Sequence, residues 1–414
     1  MDTRPAAGCP FRLDPAARDI HAESAHLRAA GPATRVELPG GVVAWSVTDP
    51  ALIKRLLTDS RISKDAHQHW PDFFEGRIPP KWALRLWVEV KNALTAYGPE
   101  HVRLRRLIGT AFTTRRVRAL GPRIEDITRE LLDQLEQNAR SDEMVDLRTR
   151  FAWILPLTVV NLLLGVPDHL HASFRSAIGG IFATGQTEAQ AEANSLELYR
   201  LLTDLVAAKR QSPGDDVTSV LIGAYDETGS RLTEQELLDS ILLLIGAGHE
   251  TTVNLLDHAV VNLLTHPDQL TLVRSGEATW ADVVEETLRH QAPVANLIMR
   301  FPTEDLQDPT GITFRQGEPI MINYAAVGRD PGLHGAHADR FDLTRTTRRD
   351  HMAFGFGTHY CLGAELARLE AQIALRGLFE RFPGLALAVP ASHLRPQPSF
   401  ISNGHQAVPS VLAA

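Results

Sequence analysis

Apolar residues recur at helical spacing through 118–138, 194–210, 233–266, 281–290 and 361–381, so helices are predicted over much of the chain. Strand character is confined to short runs. Val36–Leu38 and Val42–Val47 flank Pro39-Gly40-Gly41 and predict a hairpin. A second small β region is expected over 311–322, and the Pro-punctuated 384–412 is expected to add another strand pair. Segment 65–98 is dense in aromatics and prolines without a clear period, and reads equally as an irregular connection or as a lid over an apolar pocket. The pattern describes a mainly α protein with small peripheral β-sheets, and no repeat or Gly/Ser-rich joint divides it.

The longest helical pattern is 233–266. Thr233-x-x-Glu236 forms a capping box at its start, and Pro267 disfavours helix at His266. Some 33 residues of helix span about 50 Å, enough to cross a domain. Its flanks, Leu242 to Ile245 and Val253 to Leu256, are apolar on nearly every side, yet its centre reads Gly246-Ala-Gly-His-Glu-Thr-Thr252. Each glycine costs a helix about 1 kcal/mol relative to alanine, and a buried Glu needs a partner or a wet cavity. A close helix crossing accounts for the glycines but not for Glu250 beside Thr251. An acid next to an alcohol at a local helix break suits water binding and proton relay. His249 is read as a structural neighbour.

Composition narrows the setting. The chain has 414 residues, a formal net charge of -8 and 44% hydrophobic residues. An acidic balance argues against nucleic acid, which calls for a concentrated Lys/Arg field. Two cysteines provide no disulfide framework and suit a reducing compartment. The first residues, MDTRPAAGCPFRLDP, lack the apolar core of a signal peptide, and the apolar run 151–166 contains Pro156 and Asn161 and is too short to span a bilayer. A cytoplasmic protein with no membrane association is expected.

One cysteine, Cys361, sits in AFGFGTHYCLG (353–363) among glycines, aromatics and a histidine. Cys9 lies in a Pro/Arg-rich segment far along the chain, and no CxxC suggests zinc. A thiol nucleophile would need a base and an orienting group that the local sequence does not identify. The other option is a thiolate acting as one axial ligand to an ion whose remaining ligands come from a cofactor, as in haem held by cysteine. Two further pairs carry charge. Glu286-x-x-Arg289 places both side chains on one helical face, with Arg340 as candidate third member of a buried group. His101-x-x-x-Arg105 shares a face at i,i+4 and suits a carboxylate, such as a haem propionate, with Arg300 and His359 as further donors.

In combination these motifs resemble the cytochrome P450 superfamily of haem-thiolate monooxygenases. Phe354-Gly-x-Gly357-x-His359-x-Cys361-x-Gly363 is similar to its haem-binding loop, Ala247-Gly248-x-Glu250-Thr251-Thr252 to its oxygen-activation motif, Glu286-x-x-Arg289 with Arg340 to its structural triad, and His101-x-x-x-Arg105 to its propionate-binding helix. The order matches over residues 97–370. Tyr97-Gly-Pro-Glu and Ala338 depart from common family residues without touching the chemistry.

The resemblance implies one P450-like domain over 1–414, binding haem b (iron protoporphyrin IX) with Cys361 as iron ligand. His101, Arg105, Arg300, His359, Phe354, Gly355, Gly363 and Ala247 are the implied cofactor contacts. Glu250 and Thr251 are the implied catalytic pair, organising protons for O2 activation. The chain carries no flavin or ferredoxin pattern, so the implied electron donors are a ferredoxin and its NAD(P)H-dependent reductase, with Arg103, Arg106, Arg115 and Arg116 as a candidate basic face. A monomer is expected. The implied substrate is small and lipophilic, lined by Leu243, Leu244, Ala247, Gly248, Val294 and Ile298. CPFRLDP, SKDAHQHWP and GAHADRFDLTRT look similar to an actinobacterial subgroup that includes steroid hydroxylases, some acting on the D ring at carbon 16. The alternatives are hydroxylation of a polyketide, macrolide or other secondary metabolite, a peroxide-driven variant of the same fold, a non-catalytic haem protein, and a haem-free cysteine hydrolase.

Overall fold

The structure, a computed structural model, describes residues 9–110, 112–139, 144–181, 186–226 and 229–413. Its axis is the helix Glu234–Thr265, capped by Thr233 and Glu236 in the reciprocal box that the sequence predicts. Most of its residues are buried because helices surround it: Ile154–Leu164, Glu188–Gln211, Trp280–His290 and Ala364–Arg381 all pack against it. The helix is assigned without interruption, so the expected break at Gly246–Thr252 is absent. Instead Thr251 and Thr252 donate to the carbonyls of Ala247 (2.6 Å) and Gly248 (3.2 Å), the i−4 back-bonding that lets a hydroxyl sit in a buried helix. Gly248 serves close packing: a Cβ there would lie 3.1 Å from Val160 on the neighbouring helix.

The apolar run 151–166 is the buried helix Ile154–Leu164, and among the described residues no helix is long and apolar enough to cross a membrane. A six-stranded mixed sheet lies beside the helices, in the order Phe11–Arg12, Ala33–Leu38, Val42–Val47, Ile320–Asn323, Asn296–Pro302, Ile62–Ser63. The predicted hairpin is its antiparallel centre, with Val36 opposite Ala44. The 311–322 region divides between a two-stranded ribbon and the sheet strand Ile320–Asn323. Ala386–Leu387 and Pro409–Val411 pair as expected, joined by Val145–Asp146. The strand Asn296–Pro302 was not predicted, because its apolar residues carry no alternation: nearly all of it is buried on both faces. Segment 65–98 folds into short helical turns whose Trp70, Trp82 and Val88 are buried, so it is a packed wall and not a loose surface connection.

Candidate functional site

The loop that carries Cys361 is held from behind by the helix Trp280–His290. Its Thr279 cap and Asp282 start it, and one turn on Glu285 accepts from Arg368 Nε (2.6 Å) and faces His351 Nε2 (3.0 Å). Burial pushes the Glu285 carboxyl up, but the bonds from His351 and Arg368 outweigh it and hold it down at about 2. Arg368 in turn lies 4.5 Å over the Phe354 ring. Within the loop, Gly355 and Gly357 take φ of +73° and +71°, and a Cβ on Gly357 would meet the Leu57 carbonyl at 2.5 Å. Both positions therefore require glycine. The Phe354 carbonyl accepts from the Cys361 N–H (2.8 Å), closing the loop around the thiol.

Next along the same helix, Arg289 and Glu286 are wholly buried and doubly bonded, at 2.7 and 2.6 Å. Arg289 spends its remaining donors on the carbonyls of Gly328, Ala338 and Arg340. The predicted third member is corrected here. The Arg340 side chain is exposed and contributes only its carbonyl; Arg345 brings its guanidinium 3.5 Å from Glu286. Arg340 is solvated because a turn after Ala338 points it outward, whereas Arg345 folds back to donate to the His334 and His337 carbonyls.

Cys361 faces a cavity between this loop and the central helix. Leu243, Leu244, Ala247, Gly248 and Thr251 border it from the helix, Leu297 and Arg300 from the strand Asn296–Pro302, and Val294 and Tyr324 from the chain beside the sheet. Phe354, Gly355, His359, Cys361 and Gly363 line the loop side, and Arg105 lies at its edge. Leu86, Trp87 and Val90 of segment 65–98 close it, and the same three residues border a second cavity toward Glu192 and Tyr199. The space between atoms in the first amounts to ≈ 1960 Å³, its solvent-open mouth included. Ile298 is corrected: it is fully buried in the core with Ala295 and Phe301, since successive strand residues face opposite ways and Leu297 takes the cavity side.

At one end of the cavity the predicted cations converge. The His101 and His359 rings lie 4.1 Å apart, and Arg105 donates to the Tyr360 carbonyl. Lys64, which sequence reasoning missed, is buried here with only a 3.4 Å contact to the Ile298 carbonyl. Among the described residues no carboxylate pairs with Lys64, His101, Arg300 or His359, and His101 Nε2 and Arg300 Nε are buried without a partner. Burial and the neighbouring cations push His101 down to about 4 and His359 far lower, while burial and Arg300 depress Lys64. Such a cluster is completed by anions. Burial raises the Cys361 thiol, which favours a thiolate only with a cation to receive it. An iron porphyrin with two carboxylates fits this donor set on both counts.

The acid and the alcohol of the central helix do not share the cavity. Adjacent helical residues point about 100° apart. Thr251 lines the cavity, while Glu250 is 4% exposed and turned away, accepting from Arg148 Nη2 at 3.0 Å and Ser402 Oγ at 3.3 Å. Burial raises its carboxyl against the pull of Arg148. Arg148 left no mark in the sequence reading, since it meets Glu250 across 102 residues. Glu370, also missed, borders the cavity as a buried carboxyl whose Oε2 has no partner among the described residues, pushed well up by burial. In the predicted basic face, Arg103 is taken up by Glu100 and Glu236, and Arg116 lies 3.3 Å from Asp215.

Comparison with known proteins places this geometry among described ones. The family model "Cytochrome P450" matches residues 54–203 and 280–388. Among curated proteins, 2-hydroxy-5-methyl-1-naphthoate 7-hydroxylase of Streptomyces carzinostaticus is 44% identical over 401 residues, covering 97% of each chain. Among solved structures, CYP154A1 of Streptomyces coelicolor A3(2) superposes with a TM-score of 0.91 at 51% identity, covering 97% of this chain and 100% of its own. CYP154C4 of Streptomyces sp. ATCC 11861, in a form described as "testerone bound", gives 0.93 at 42% identity, covering 98% and 99%.

Proposed function

This chain belongs to the cytochrome P450 family of haem-thiolate monooxygenases, and from that premise we propose that it hydroxylates a bulky lipophilic molecule, a steroid before other classes, through the cavity that Cys361 faces. The observation that carries the reading is the thiol on one wall of that cavity, with a cluster of basic side chains at its end that pair with no carboxylate among the described residues. Cys361 supplies the thiolate ligand; His101, Arg105, Arg300, His359 and Lys64 hold the two propionates of haem b. Bound there, the haem supplies O2 activation, with the thiolate favouring O–O cleavage. The net reaction takes RH, O2, two electrons and two protons to ROH and water.

The chain's own residues exclude water, aim the substrate and manage those protons. Leu243, Leu244, Val294 and Leu297 hold a hydrocarbon body against the reacting face, and Phe354 shields the sulfur side. Thr251 presents its hydroxyl inside the cavity. Glu250 is the acid that resupplies it, by a change of side-chain rotamer or through a bridging water, since its carboxyl rests toward Arg148. The reading of 1–414 as a single domain is supported by a cavity built from segments spread between Leu86 and Glu370. Electrons come from a ferredoxin with its NAD(P)H-dependent reductase, and the protein works as a cytoplasmic monomer.

The steroid reading is supported by the apolar walls and by the likeness to CYP154C4, whose solved form is described as "testerone bound". Hydroxylation of a polyketide or other secondary metabolite is the second reading, favoured by the naphthoate hydroxylase. Incubation with testosterone, progesterone, macrolactones and naphthoates, with surrogate ferredoxin and reductase, separates the two. A steroid binding spectrum with a D-ring product supports the first. Steroids giving neither spectrum nor product would remove it.

A further inference from the structure

The central helix carries a second buried carboxylate on the stripe of Glu250. Residues at i, i+4 and i+7 share a helical face, and here these are Glu250, Asn254 and Asp257, all buried against the Arg148 turn and the chain at 397–405. Arg148 is bonded to both acids, with Nη2 3.0 Å from Glu250 and Nη1 2.6 Å from Asp257, and its side chain is 2% exposed. The other oxygen of Asp257 is bonded to His405 Nδ1, whose backbone N–H also donates to Asp257 (2.9 Å). Of the four ionisable side chains Glu250, Arg148, Asp257 and His405, the last is the most exposed, at 16%.

The fixed charges are two carboxylates and one guanidinium, and arginine does not release its proton. The interior is therefore left one negative charge over, a costly state in a dry site. One proton restores neutrality, and two groups can hold it: His405 at the surface end or Glu250 at the inner end. We propose that His405 and Glu250 share this single neutralising proton across the Asp257–Arg148 bridge, which makes His405 a positioning residue that sets the protonation of Glu250; this rests on the reading of Glu250 as the acid that supplies the cavity.

The coupling is electrostatic. When Glu250 gives its proton toward the cavity it becomes a carboxylate, the cluster is one charge negative, and His405 binds a solvent proton. When a proton returns to Glu250, His405 releases the one it took. The other groups facing the cluster do not substitute for these two. His258, whose ring lies 4.8 Å from His405, is held down to about 3 by burial and by His405 itself. Asp146 spends its carboxylate on the Arg148 and Val408 N–H groups and on Thr149. His249 points away, bonded to the Trp153 carbonyl. Ser402, Asn254 and the Gln397 amide carry no charge. The directions of the two acids agree with this division: burial raises Glu250, while His405 and Arg148 outweigh burial at Asp257 and hold it low. Asp257, His258 and His405 also have a spacing that could hold a metal ion, but the Arg148 guanidinium on Asp257 occupies the place of a cation.

The test is infrared difference spectroscopy of the ferric holoenzyme through a pH titration, following the C=O stretch of protonated carboxyls. Glu250→Gln identifies the Glu250 band by its loss. His405→Gln removes the cation beside Asp257 and leaves Arg148 more fully engaged there, so the Glu250 band persists to higher pH by about one unit; Asp257→Asn frees Arg148 for Glu250 and lowers the same midpoint by about one unit. Opposite shifts support the proposal, and a merely structural role would not produce them. A midpoint unmoved in both variants, shifts of one sign, or no band lost in Glu250→Gln would overturn it. Product formed per NAD(P)H in Glu250→Gln reports separately on the underlying reading: an unchanged ratio removes Glu250 as the acid whatever the spectra show.

Discussion

Replacing Arg289 by lysine keeps the charge and removes the shape, so it tests whether the fork geometry behind the cysteine loop matters. In the native protein all five N–H groups of Arg289 are used, two on Glu286 and three on the carbonyls of Gly328, Ala338 and Arg340. An ammonium has three donors, so two of the five bonds are lost. Each lost bond of the charged group is worth about 1.5–3 kcal/mol, which gives about 3–6 kcal/mol in total. The larger penalty for an unpaired buried charge does not apply, because the ammonium still faces Glu286. Against a total stability of about 5–15 kcal/mol this is a large fraction. Urea unfolding of the holoenzyme, followed by circular dichroism, should show the midpoint displaced strongly downward with little change in slope. Arg289→Met should be worse, since Glu286 then keeps the Asp342 N–H at 2.8 Å but has Arg345, 3.5 Å away, as its nearest guanidinium. A lysine variant within about 1 kcal/mol of the wild type would refute the reasoning, because the three carbonyl bonds would then carry no stability.

Four further outcomes follow from the geometry. Arg300→Leu removes a buried cation, and loss of a charge-assisted bond of about 1.5–3 kcal/mol should speed haem transfer to an acceptor protein by about 10- to 100-fold. An unchanged rate would detach Arg300 from the cofactor. Glu285 is held at about 2, below the ordinary glutamate value of 4.5, so its ion pairs stabilise the fold fully above 4.5 and are lost as pH falls toward 2. Glu285→Gln should therefore melt lower than wild type at pH 7, with the gap closing between pH 4.5 and 2; a constant gap would contradict this. Thr251→Ala should consume NAD(P)H with little product, and full coupling would exclude the hydroxyl from proton handling. Gly357→Ala forces a Cβ to 2.5 Å from the Leu57 carbonyl at φ +71°, so the fold should lose about 1–3 kcal/mol by urea unfolding. A neutral result would show that the loop can relax.

What was legible in the sequence was what is local. The capping box placed the central helix within a residue of its observed ends, and the glycines around Cys361 announced a backbone that side chains would obstruct. The Glu286–Arg289 spacing translated directly into a bonded pair. Partners from irregular chain were harder. Arg340 and Arg345 lie five residues apart in a segment without periodicity, and only the turn decides which guanidinium folds back. The strand Asn296–Pro302 hides because burial on both faces erases alternation, and Ile298 was misassigned to the cavity for that reason. Lys64, Arg148 and His405 were invisible, since each meets its partners across 100 residues or more of chain. Glu250 was legible as a misfit in an apolar helix, but not which way it points.

The most direct test of the central claim is the carbon monoxide difference spectrum of the dithionite-reduced protein, recorded for the wild type and for Cys361→Ala expressed with ample haem. The account predicts the long-wavelength Soret band of thiolate-ligated haem in the wild type and its absence in the variant. A band of histidine-ligated type in the wild type, or a thiolate-type band that survives Cys361→Ala, would contradict it.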